Sequence, residues 1–253
     1  MLIFFLGSVS SCSWFTDQED GASKEAAANT YAKLGTEYLR MGQMNVALEK
    51  LRLAIELDDN NIEAHDSIAV LYEQIKEYPK ARQHFEAALS LRADSPATLN
   101  NYGRFLCDRG EYEEAFEYLH KAMAMPLNDN KWYAFTNAGR CELMRGDQNK
   151  AEQYFRQALE YQANYAPALL ELQRISYRNN NYMSAKAFLQ RYLEVAEHTP
   201  GTLWVGIQTE IALGNRELAL QYRRILLEKF ANTKEAKQIQ ATLPSSSTNP
   251  SNN

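Results

Sequence analysis

Three arginines, Arg104, Arg140 and Arg174, stand 36 and 34 residues apart and carry the most specific recognition chemistry in this chain. A guanidinium presents a planar fork of donors that matches a carboxylate. An arginine that recurs at a fixed interval therefore points to a surface that grips acidic or carbonyl-rich chains. Other chemistry has little to stand on. The three cysteines, Cys12, Cys107 and Cys141, make no C-x-x-C pair, and the four histidines, His65, His84, His120 and His198, are scattered. These spacings predict no metal and no cofactor. No G-x-S-x-G, phosphate loop, dinucleotide fingerprint or H-E-x-x-H occurs, so the chain reads as a non-enzyme with no small-molecule substrate. Adjacent acids such as Glu113–Glu114 and Asp58–Asp59 read as helix-start and turn residues, where carboxylates favour the helix dipole. With 27 Lys and Arg against 32 Asp and Glu, a net charge of −5 and no basic stripe, nucleic acid is excluded as an expected partner.

The arginines need elements to hold them in line, and the pattern around them supplies these. From Leu99 to Ala122, apolar residues recur at helical spacing on two stretches joined at Gly110: Leu99, Tyr102, Gly103 and Leu106, then Ala115, Leu119 and Ala122. The small residue early in the second stretch repeats along the chain as Ala47, Ala81, Ala115, Ala151, Ala185 and Ala219, at intervals of 34, 34, 36, 34 and 34. A helix–turn–helix unit of about 34 residues is the tetratricopeptide (TPR) period. The expected fold is an all-α TPR α-solenoid, a right-handed superhelix of about six helix-turn-helix repeats. The repeats fall at 28–61, 62–95, 96–129, 132–165, 166–199 and 200–233, with a capping helix from Thr233 to about Leu243, so that the solenoid spans 28–243. Pro126 ends one helix, and the two extra residues lie in the loop 125–131. Repeats 5 and 6 are looser: Gln173 and Tyr192, then Ile207 and Arg223, replace the expected residue types. Residues 244–253 lack apolar content and read as a disordered tail.

By resemblance to TPR proteins, positions 2, 5, 9, 12 and 13 of each repeat face a concave groove. Position 9 then holds Thr36, Val70, Arg104, Arg140, Arg174 and Gln208. Position 5 adds Asn100, Thr136, Leu170 and Trp204, position 2 adds Tyr133, and position 12 adds Tyr177. The expected protein-binding groove is therefore Asn100, Arg104, Tyr133, Thr136, Arg140, Arg174, Tyr177 and Trp204. The competing reading pairs these arginines with local acids, for instance Arg104 with Asp108 one turn on. Cys107 and Cys141 lie on adjacent first helices. Helix axes about 8–10 Å apart, set against a disulfide limit of about 7 Å between Cα atoms, predict free, partly buried thiols.

Residues 1–11 are an apolar run followed by small residues, and Cys12 follows at once. The V-S-S-C stretch resembles a bacterial lipobox, so 1–11 read as a lipoprotein signal peptide and Cys12 as the lipidated residue. The run is too short to span a membrane, which takes about 20 residues. No Lys or Arg precedes it, which predicts a translation start upstream of Met1. Residues 12–27 are polar and acidic and read as a lipidated N-terminus with a flexible tether. Ser13, rather than Asp, after the cysteine favours the outer membrane by resemblance to other lipoproteins.

The chain further resembles the TPR lipoproteins of type IV pilus biogenesis, the PilF/PilW family. The stretches that carry this are L-G-T-E-Y-L-R-M-G (34–42), A-H-D-S-I-A-V (64–70), L-N-N-Y-G-R-F-L (99–106) with Y-E-E-A (112–115), and L-W-V-G-I (203–207). The resemblance implies an outer-membrane pilotin: a lipid-anchored protein on the periplasmic face that binds the pilus secretin and assists its localisation and multimerisation. The alternative is a periplasmic TPR lipoprotein scaffold for cell-wall synthesis or outer-membrane barrel assembly. A cytosolic TPR adaptor that clamps C-terminal carboxylates fits poorly, because Thr36 and Val70 occupy position 9 where its first repeats need basic residues.

Overall fold

The computed structural model describes residues 13–241, with side chains from residue 21 onward. The signal peptide, Cys12 and the 244–253 tail lie outside the described residues. Within them are thirteen α-helices and no strand. One compact unit runs to Asn128 and a second begins at Asp129. The first unit holds α1 (Ser13–Arg40), α2 (Met44–Leu57), α3 (Ile62–Gln74), α4 (Tyr78–Leu91), α5 (Pro96–Asp108) and α6 (Tyr112–Ala124). The second holds α7 (Lys131–Arg145), α8 (Gln148–Tyr161), α9 (Ala166–Arg178), α10 (Tyr182–Leu193), α11 (Pro200–Ala212), α12 (Arg216–Lys229) and α13 (Lys234–Ala241).

Each first helix packs against the second helix that follows it, and small residues let them close. A Cβ on Gly103 would stand 2.7 Å from the Cγ of Leu119 and 3.1 Å from the carbonyl oxygen of Ala115. The six recurring alanines are all buried. Every turn between paired helices carries one left-handed residue: Gly42, Gly110, Gly146 and Gly214, but Lys76 and Asn180 in repeats 2 and 5. Helix starts are defined by capping. Asn61 and Ser95 accept from the backbone N–H of Ala64 and Thr98, and Thr199 with Thr202 forms a reciprocal capping box. Proline at the first helical position adds to this in α5 and α11.

The first unit is filled by Leu51, Ile68, Phe85, Tyr102, Phe105, Leu106 and Leu119. Phe85 and Tyr102 stack with ring centroids 5.3 Å apart. The second unit has a core around Phe155, Leu169, Leu172, Ile175 and Leu189. At its C-terminal end, Leu203, Ile207 and Leu226 gather under Ala236 and Ile239 of α13.

Two expectations are corrected. Residues 13–27, read as a flexible tether, belong to α1. The segment contains no proline and ends in an alanine-rich run that continues into a packed helix, so helix propagates backward from it. Among residues 21–28, Ala28 is the first that is buried. Cys107 and Cys141, read as free thiols, are each buried and disulfide-bonded. An axis spacing of about 8–10 Å does not exclude a disulfide, because each Cα stands about 2.3 Å off its axis and facing Cα atoms can come well within the limit of about 7 Å.

Candidate functional site

The three arginines that share one repeat position have three different surroundings. In the first unit, Arg104 of α5 reaches back to α3. Its Nη1 donates to Glu73 Oε1 at 3.0 Å and to Asp108 Oδ2 at 3.1 Å, and its Nη2 donates to Glu73 Oε2. The Glu73 side chain is 9% exposed and that of Arg104 28%. Burial works against the guanidinium charge, but the Glu73 and Asp108 carboxylates outweigh it and hold its pKa above the ordinary value. Arg109 stands 3.9 Å from the same Glu73 and lies over the Tyr78 ring, 3.9 Å from its centroid. Nearby, burial pushes the Asp66 carboxyl up to about 6, against the hydrogen bond it accepts from Asn101 at 2.7 Å and the charge of Arg104. Asn100, one turn before Arg104, is half-buried. Arg104 is thus an internal ion-pair residue, as the competing reading has it, with Glu73 as a further partner.

In the second unit, α7 presents Tyr133 and Arg140 to solvent. Thr136, expected in the groove, is buried instead and its hydroxyl has no hydrogen-bond partner. The Tyr133 ring meets that of Tyr165 edge-on, 5.6 Å between centroids at 87°. Burial pushes the Tyr165 phenol up to about 12, Tyr133 adds to the rise, and the charge of Arg140 opposes it. Arg140 has no ion pair among the described residues. Arg174 of α9 donates to Glu171 Oε1 at 2.8 Å on its own helix. Its guanidinium also passes Gly201, where a Cβ would lie 3.4 Å from Nη2. Tyr177 sits with its ring 6.0 Å from that of Tyr182. Trp204 is half-buried against the Leu203–Ile207–Leu226 cluster.

Position 12 of the preceding repeat foretells part of this difference. It holds Glu73 before Arg104, but Cys107 before Arg140 and Leu143 before Arg174. Only Glu73 can accept from a guanidinium. Tyr165 escaped notice because it closes repeat 4, outside the positions assigned to the groove.

No group of three or more His, Cys, Asp or Glu among the described residues could hold a metal ion. No described helix is long and apolar enough to cross a membrane. Two of the scattered histidines do meet. His65 and His84 approach Nδ1 to Nδ1 at 3.1 Å, and burial, then His65, then Arg52 lower the His84 pKa to about 4.

Comparison with known proteins gives a consistent result. Tetratricopeptide repeat models match residues 28–61 and 62–95, and another matches 94–164. The type IV pilus assembly protein PilF of Pseudomonas aeruginosa is 27% identical over 218 residues, 86% of each chain. The solved structure of that organism's PilF superimposes with a TM-score of 0.77 at 27% identity, covering 87% of this chain and 99% of the other. PilW, described as a widely conserved type IV pilus biogenesis factor, has a TM-score of 0.74 at 30% identity, covering 84% and 98%.

Proposed function

Because this chain belongs to the PilF/PilW family of type IV pilus biogenesis TPR proteins, we propose that it is an outer-membrane lipoprotein that binds the pilus secretin and assists its localisation and multimerisation. A role in pilus biogenesis as a protein-interaction scaffold follows from the family. The observation that carries the finer reading is Arg140. It is exposed, lacks a carboxylate partner among the described residues, and stands beside the Tyr133–Tyr165 pair. Such a surface suits a segment that offers carboxylates or free backbone carbonyls, since charge-assisted donors are stronger than neutral ones. Tyr133 and Tyr165 add amphipathic contact area. Arg174 supplies a second cation, whose one ion pair among the described residues is to Glu171 on its own helix.

The lipid anchor rests on V-S-S-C, and acyl chains there would give durable attachment at about 0.8 kcal/mol per buried methylene. Disulfide-bonded Cys107 and Cys141 support an oxidising compartment such as the periplasm.

The test uses the full chain and the purified periplasmic part of the secretin. Arg140→Ala should weaken binding about tenfold, the worth of one charge-assisted bond, with an unchanged melting temperature, and added salt should weaken the wild-type complex. Unchanged affinity removes Arg140 from the interface. In cells, deletion should leave pilin made but secretin multimers reduced, and a fatty-acid analogue should label the wild type but not Cys12→Ser. Normal secretin multimers in the deletion strain would exclude the pilotin reading.

A further inference from the structure

The last repeat breaks the pattern at two positions, and both breaks line one groove. Position 24 holds Leu51, Phe85, Leu119, Phe155 and Leu189 in repeats 1 to 5. All five are buried apolar plugs. In repeat 6 the same position is Arg223, whose Nη2 is buried without a hydrogen-bond partner. Position 8, small in repeats 1 to 4, is Ile207. Between α11, α12 and α13 these residues edge an open groove of about 230 Å3. Its walls are otherwise mostly aliphatic: Ile211 and Leu220, 56% and 60% exposed, with Ala219 and Ile239, and Gln208 as the one neutral polar side chain in the lining. Arg216 stands at its rim. Neither Arg216 nor Arg223 has an ion pair among the described residues.

The placement of α13 supplies one wall of the groove. It packs on α11 and α12 as α11 packs on α9 and α10, so it takes the place of the next first helix. Ile239 of α13 lines the groove together with Arg216 at the start of α12. The volume is below the roughly 300–1,000 Å3 of small-molecule pockets. It suits the side chains of a helix laid along the groove.

We propose that this groove is a second docking site, which takes an amphipathic helix of a partner protein with aliphatic side chains on one face and a carboxylate set against Arg223 and Arg216. Such a helix would lie along the groove beside α13 and would bury Ile211 and Leu220. The carboxylate pairs a guanidinium that has no ion pair among the described residues, and burial of its Nη2 makes that pairing selective for acid over base. Residues 242–253 contain one aliphatic side chain, Leu243, and no acid. They do not match this chemistry.

The probe is a fluorescein-labelled amphipathic helical peptide, with leucines spaced i, i+3, i+4, i+7 and flanked by glutamate, titrated with the full chain in an anisotropy assay. A lysine-flanked twin is the control. Saturable binding of the glutamate peptide, with the lysine peptide about tenfold or more weaker, is expected. Leu220→Asp, an exposed change that leaves the core untouched, should remove binding. Arg223→Met should erase the preference for glutamate. Equal binding of the two peptides, no binding at all, or full binding by Leu220→Asp overturns the proposal. Tighter binding after deletion of 242–253 would assign the groove to the chain's own tail and overturn it as well. Arg140→Ala should leave peptide binding intact, so this claim and the secretin claim fail independently.

Discussion

Replacing Arg104 by alanine separates an arginine that holds the fold from one that is offered to a partner. The guanidinium makes two bonds to Glu73 and one to Asp108. An exposed pair is worth about 0.2–1 kcal/mol, and breaking a buried one costs about 3–5 kcal/mol because a charge is stranded. The Glu73 side chain is 9% exposed and Arg104 28%, which puts this pair between the limits and nearer the second. Arg109, already 3.9 Å from Glu73, can move toward the vacated carboxylate and recover part of the loss. The expected cost is about 2–3 kcal/mol. At about 2–4 °C per kcal/mol for a chain of this size, the melting temperature should fall by roughly 4–12 °C. Calorimetry on the full chain measures it, and Glu73→Gln combined with Arg104→Met supplies the control. The double variant leaves no charge at position 73, the most buried member of the cluster, and although Asp108 and Arg109 each lose a neighbour it should lose less than Arg104→Ala alone. If Arg104→Ala melts within about 1 °C of wild type while secretin binding falls, the ion pair is incidental and Arg104 belongs to a binding face.

Three further perturbations test the local arguments. Lys76 holds a left-handed φ of 65° in an exposed turn where four other repeats use glycine. Lys76→Gly should therefore raise stability by about 0.5–1 kcal/mol in thermal melts, the left-handed penalty of about 1–2 kcal/mol less the entropy of glycine, and a loss of stability would refute the strain argument. Gly103→Ala gains about 1 kcal/mol of helix propensity but drives a Cβ to 2.7 Å from Leu119. Overpacking of about 1–3 kcal/mol should win, and denaturant unfolding that shows a more stable variant would contradict it. His84 is held neutral in the fold with its pKa lowered to about 4, so between pH 6.5 and 4 the unfolded chain binds the extra proton and stability is lost as pH falls. His84→Gln removes that loss. Its melting temperature relative to wild type should rise across this window by the equivalent of about 1–2 kcal/mol, after discounting for partial exposure. A gap that stays constant with pH would contradict it. Asp66, raised to about 6, acts with the opposite sign over nearly the same range and flattens the wild-type profile.

The sequence was most legible where packing is periodic and least where one residue departs from the period. Six alanines spaced by about 34 residues place the helix pairs, because a small residue is needed wherever two backbones close. The turns were legible where glycine marks them and hidden at Lys76 and Asn180, which take the same left-handed conformation without that mark. Exposed residues 21–26 read as tether by composition, yet they are helical as the upstream extension of a helix packed from Ala28 on. Polarity reports exposure and not chain conformation.

The arginines make the same point about function. A shared repeat position puts Arg104, Arg140 and Arg174 on equivalent helix faces, and a face alone does not say what the charge meets. Glu73, one repeat earlier at position 12, captures Arg104. Cys107 and Leu143 at the corresponding positions have no carboxylate to offer, and Arg174 instead turns to Glu171 on its own helix. Whether an arginine is captured within a unit therefore depends on its neighbours as well as on its repeat position, as Arg104 and Arg174 show. Arg223 extends the argument to the interior face of the pair: at a position otherwise reserved for an apolar plug, an arginine lines a groove and its buried Nη2 has no hydrogen-bond partner among the described residues, which is the donor that the proposed partner helix would satisfy.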